Sequence, residues 1–137
     1  LFRITDQLNR GSHLVTDNSK KIALADLNLR AGEICMKKSA FQTALTYLGA
    51  GMRLIDQNTC WQEHYKLVLR LYNTTAEAQY CNGSLDVIPK LLEDVFAQAK
   101  SFEDKLSAYS TKMLVLGSQL KTKDAISVGL GVLAAMG

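Results

Sequence analysis

The chain has 137 residues, enough for one domain that buries roughly two-thirds of its unfolded surface, so a disulfide scaffold is not needed. Sixteen Lys and Arg against 13 Asp and Glu leave a net charge of +3, and the basic residues are interspersed, so they form no stripe for nucleic acid. Cys35, Cys60 and Cys81 stand far apart without paired spacing, the pattern of inert core thiols in a reducing cytoplasmic setting, and no uncharged apolar run approaches the roughly 18 residues of a membrane span.

Residues 1–18 read as a lead-in helix and loop. Phe2 to Asn9 forms the helix, and the turn Arg10 to Ser12 ends it with Gly11 as a left-handed cap. Thr16, Asp17 or Asn18 then caps a helix running to about Met36, since each side chain accepts a hydrogen bond from an otherwise unpaired amide. Leu24, Leu27, Ala31 and Ile34 or Cys35 recur at steps of three and four along it. Phe41, Ala44 or Leu45, Leu48, Met52 and Ile55 keep the same rhythm in the next helix. The polar stretch Met36 to Ser39 is so short that the two helices must fold back on each other.

Gly32, Ala44, Leu48 and Gly51 are the helix-crossing residues of this hairpin. Gly32 precedes Ala44 by twelve positions, the spacing at which a tetratricopeptide-type repeat sets its small crossing residues around a bulky knob. A glycine inside a helix costs about 1 kcal/mol relative to alanine. Close backbone approach is the compensating reason expected at Gly32, Gly49 and Gly51.

After the break Asp56 to Cys60, one long helix is expected from about Trp61. Trp61, Tyr65, Val68, Tyr72, Ala76 and Tyr80 lie on one face, and Leu67, Leu71, Thr74, Ala78 and Cys81 on another. A helix apolar on two sides is sandwiched between neighbours. Asn82-Gly83-Ser84 is a turn, and a helix starts near Leu85 with Pro89 in its first turn and a stripe of Ile88, Leu91 or Leu92, Val95 and Ala99. Ser101 caps a helix carrying Phe102, Leu106, Tyr109, Met113, Leu116 and Leu120. Lys121-Thr122-Lys123 breaks it, and Asp124 to Met136 is the last helix, with Ala125, Val128 or Gly129, Val132 and Met136 inward. Aligning Ala44, Ile88 and Ala125 gives repeats of 44 and 37 residues, looser than the roughly 34 of an ideal unit.

The expected fold is therefore all-α: a TPR-like α-α superhelix, a right-handed solenoid of stacked antiparallel hairpins, filling 19–137 with hairpins at about 19–55, 61–100 and 102–136. The Leu1 start and the apolar close GLGVLAAMG read as a piece of something longer.

Catalytic motifs are missing. The chain has no GxxxxGK[ST] loop, no kinase loop set and no GxSxG elbow. His13 and His64 stand apart from any HExxH or CxxC, so neither a metal nor a cofactor is expected, and no catalytic residue is assigned. Glu63-His64 beside Trp61 reads as a solvent-facing pair at the start of an amphipathic helix rather than a general base. The aromatic set is read as core.

Four stretches carry a family resemblance: FRITDQLNRG, LADLNLRAGEICMKKSAFQTALTYLGAGMRLI, WQEHYKLVLRLYNTTAEAQYCNG and TKDAISVGLGVL. In this order they resemble the tetratricopeptide-like helical segment of large hybrid signalling proteins. In that family a serine/threonine-kinase-like domain and an AAA-type predicted ATPase precede the segment, and GAF and histidine kinase domains often follow it. The chain departs from the family pattern at Cys35, Met36 and Lys37 and at Leu120-Lys121-Thr122. The resemblance implies a non-catalytic interaction and spacer module of a cytoplasmic signal-transduction ATPase or kinase. The alternative is a free-standing adaptor that grips a partner peptide in its concave groove. The expected partner is protein, either domains of the same polypeptide or a separate chain, with no nucleic acid and no membrane. Asn28, Lys38, Gln42 and Gln79 are the candidate groove residues.

Overall fold

A computed structural model describes residues 1–118 and 122–136 of the chain, and every described element is helical. Helix α1 spans Phe2–Arg10 and leads through a 3-10 turn, Ser12–Leu14, into α2, Asn18–Lys37. Gly11 has φ −99° rather than the left-handed conformation expected of it, because the chain continues directly into the 3-10 turn without reversing. Asp17 caps α2, its Oδ1 accepting a hydrogen bond from the Ser19 amide at 2.8 Å. At the other end Ser39 takes the left-handed conformation, φ 59°, and the Ala40 amide donates to the Cys35 carbonyl at 2.9 Å. The chain thus reverses over Lys38, Ser39 and Ala40 and enters α3, Phe41–Leu54.

Cys60 to Cys81 is not one helix. A single turn, α4 (Cys60–Glu63), stops at His64, φ −136° and ψ 51°, and α5 (Tyr65–Cys81) begins there, the Val68 amide donating to the His64 carbonyl. The aromatic core supplies the reason. A straight helix would set Trp61 and Tyr72 about 16 Å apart along its axis. The break lets Trp61 fold back so that its ring lies 5.0 Å from that of Tyr72, with Trp61 buried. Gly83, at φ +79°, closes the turn after α5, a conformation open to glycine without strain.

Helix α6 is Ile88–Gln98, three residues later than the Leu85 start expected. Val87 is its cap, so Pro89 falls in the first turn, where its missing amide has no intrahelical partner to lose. The Ser101 hydroxyl accepts from the Asp104 amide at the start of α7, Phe102–Ser118. The buried stripe of α7 is Ala108, Thr111 and Val115, whereas Met113, one of the residues expected inward, is 37% exposed. Phe102, Leu106, Tyr109 and Leu116 are half-buried. The buried stripe is the side of α7 that meets both α5 and α6. Helix α8, Thr122–Met136, starts two residues before the expected Asp124. Val128, Gly129 and Val132 are half-buried, but Met136 is exposed, a correction to its expected inward position. Leu120, Lys121 and the side chain of Ala125 lie outside the described residues.

The helices pack in a regular order. Helix α2 pairs with α3, α5 with α6 and α7 with α8. The first helix of each later pair also touches both helices of the pair before it: α5 lies against α2 and α3, and α7 against α5 and α6. Fully buried Leu29, Leu48, Val68, Leu71, Ile88 and Val95 run through α2, α3, α5 and α6 as one continuous core. Each contributes about 1.5–3 kcal/mol of burial.

Candidate interaction surface

The small residues at the first crossing set how closely the hairpins approach. Ala44 is fully buried between α2 and α3, and Gly32 faces Leu48 across the same seam, leaving no room for a β-carbon. Gly51 faces the next hairpin: a Cβ there would lie 3.1 Å from Leu71 Cδ2 and 3.4 Å from the Ala25 carbonyl oxygen. Gly49 differs from both. Among the described residues, a Cβ there would meet nothing from another helix within 4 Å, just the Arg53 guanidinium at 3.6 Å, so close packing is not its reason.

With the hairpins set at these distances, α2, α5 and α7 share one surface. Arg70 of α5 donates to Glu33 of α2 at 2.6 Å, and Ser107 of α7 donates to Glu77 of α5 at 3.2 Å. Arg70 and Glu77 are two turns apart on one face of α5, which therefore runs between α2 and α7. Hydrogen bonding to Glu33 is the main reason that the Arg70 guanidinium is held above its ordinary range. Arg30 and Asp26 form an i,i+4 pair at 2.8 Å on α2. Asn73, on this same face of α5, has a buried Oδ1 with no hydrogen-bond partner among the described residues. At one end Tyr65 donates to Asp104 at 2.6 Å and accepts from the Lys100 amide at 2.8 Å, which fixes α7 against the start of α5. The surface alternates in sign and suits many small polar contacts rather than one strong charge.

Two clefts open beside it. One, about 550 Å³, lies between α2 and the α4–α5 junction and is lined by Ile22, Asp26, His64, Lys66 and Lys100 among others. The second, about 400 Å³ and mainly apolar, lies between α6 and α7, with Ile88, Leu92, Phe96, Val115 and Leu116 as walls and Glu93 and Lys112 at the rim.

The expected groove residues separate. Asn28 is fully buried, its amide bonded to Asn9 and to the Leu24 carbonyl, so it lines no groove. No pattern in α2 alone distinguishes a polar residue facing solvent from one facing α1. Lys38 is exposed in the α2–α3 turn, with its Nζ 5.9 Å from the Phe2 ring centre. Gln42 is exposed in the first turn of α3, and Gln79 is half-buried near the end of α5. The pair Arg70 and Glu33 has no signature in the sequence, since an ion pair between helices leaves no local spacing signal.

Cys35 and Cys60 are buried, and burial pushes both thiols above their ordinary pKa, away from the thiolate form that nucleophilic chemistry needs. Cys81 is exposed, a correction to its expected place in the core. Among the described residues no group of three or more His, Cys, Asp or Glu could hold a metal ion, and no helix is long and apolar enough to cross a membrane.

No family model matches the chain, and no solved structure matches it. The chain is similar over its whole length to hybrid signal transduction histidine kinase G of Dictyostelium discoideum, at 26% identity over 147 aligned residues, and spans 4% of that relative's length.

Proposed function

We propose that this chain is a non-catalytic helical-repeat segment of a cytoplasmic signal-transduction protein. It acts as a spacer that docks on neighbouring kinase-like or nucleotide-binding domains of its own polypeptide and relays their state. The similarity to a hybrid histidine kinase supports the signalling context. The observation that carries the repeat reading is the order of contacts, in which α5 lies against both α2 and α3, and α7 against both α5 and α6. That order, continued, winds TPR-like hairpins into a superhelix, because each pair is offset from the last by the wedge of its first helix. Such an array moves as a chain of nearest-neighbour contacts and offers a long polar face, here that of α2, α5 and α7.

Two measurements test the proposal. Small-angle scattering should give the profile of an elongated stack, and the profile of a closed globule of this mass would sink the array. Titration of this segment with the kinase-like and nucleotide-binding regions of its own polypeptide should give saturable binding that weakens in Glu33→Lys and Glu77→Lys variants. Capture of an extended peptide with no binding to those regions would instead identify the free-standing adaptor.

A further inference from the structure

Helix α1 is packed with its faces inverted. Phe2, Thr5, Asp6 and Asn9, at steps of three and four, are the side chains through which it meets the first hairpin. Three of the four are polar. Asn9 and Asn28 form a reciprocal amide pair at 2.8 and 2.9 Å, and the Tyr47 hydroxyl donates to Asp6 at 2.7 Å. Phe2 is the one large apolar side chain on this side, half-buried with its ring 5.6 Å from that of Tyr47. The aliphatic residues point away: Leu1, Ile4 and Leu8 are 44%, 58% and 45% exposed.

This inversion decides how α1 leaves. A helix seated by aliphatic side chains cannot undock without returning that surface to water, and it therefore unfolds with the core. Hydrogen bonds to α1 exchange for hydrogen bonds to water on opening, so their net hold is modest. Asn28, fully buried beneath α1, is reached by water as soon as α1 lifts and is not left stranded. A free helix of nine residues is marginal, so the undocked segment loses its helical hydrogen bonds.

We propose that α1 is a strap that opens and closes as a unit over the α2–α3 face while the hairpins stay folded, latched by the Asn9–Asn28 and Asp6–Tyr47 pairs. The closed strap covers Asn28 and Tyr47, and the open strap presents them.

Hydrogen exchange on the intact chain, resolved by peptide, tests this. Amides of residues 2–10 should exchange at least about tenfold faster than those of α2, α3 and α5, with little dependence on urea, as local opening requires. Asn9→Ala should accelerate exchange in α1 about tenfold further and leave the other helices unchanged. Asn9→Leu combined with Asn28→Leu replaces the polar latch with an apolar one and should slow α1 alone. Should the double variant fold poorly, Asp6→Ala, which leaves the Tyr47 hydroxyl without its acceptor, provides the second latch test, again with acceleration confined to α1. Exchange of α1 at the rate and urea dependence of α2, or acceleration of every helix together by Asn9→Ala, would overturn the strap.

Discussion

Leu48 fills the space that a β-carbon on residue 32 would need. A Cβ built on Gly32 lies 2.7 Å from both Cγ and Cδ2 of Leu48, closer than packed carbon atoms approach. Helix α2 can therefore sit this near α3 only with glycine at 32. Gly32→Ala should destabilise the chain by about 1–2 kcal/mol, overpacking outweighing the gain in helix propensity. Gly49→Ala meets only the flexible Arg53 guanidinium at 3.6 Å and should stabilise by up to about 1 kcal/mol. Urea unfolding of the two variants checks the opposite signs, and equal shifts would remove the crossing argument.

Trp61 holds the break at His64. Its ring packs 5.0 Å from that of Tyr72 and 6.1 Å from that of Tyr65. Trp61→Ala should cost about 3–5 kcal/mol in thermal or urea unfolding. With the aromatic contact gone, helix should propagate through residue 64, seen as added helical NMR shifts at residues 62–65. A cost below about 1 kcal/mol would show that Trp61 does not organise the junction.

The bond from Tyr47 to Asp6 pushes the phenol up to about 12 from its ordinary value of 10.0, with burial and the Asp6 charge acting in the same direction. The folded pKa lies above the unfolded one, so this contribution to stability is complete below pH 10 and lost as pH rises from 10 to 12. Tyr47→Phe lacks it. The difference in unfolding free energy between wild type and variant should shrink across that window, and a constant difference would contradict the linkage.

Thiol reactivity should separate the cysteines. Cys81 is exposed, while Cys35 and Cys60 are 4% and 2% exposed with pKa values raised by burial. A disulfide reagent should titrate Cys81 quickly in the native chain, and Cys35 and Cys60 only after denaturant is added. Rapid native reaction of Cys60 would place it at the surface of the cleft beside His64.

Most of the helices, and most of the faces they bury, are written in local residue spacing. Leu24, Ala31 and Cys35 on α2, and Ala44 and Leu48 on α3, recur at the helical period, and that period is a local property fixed by spacing alone. Turn chemistry at Gly83 and the first-turn place of Pro89 were legible for the same reason.

Features that depend on a distant partner have no such local signature. The His64 break follows from the contact between Trp61 and Tyr72, which no window around residue 64 contains. Asn28 is an internal residue only because Asn9 reaches it across 19 positions of chain. The contact line of α7 falls on Ala108, Thr111 and Val115 because α5 and α6 both pack against that side of the helix. Helical period fixes which residues share a face, but the neighbouring helices decide which face is covered.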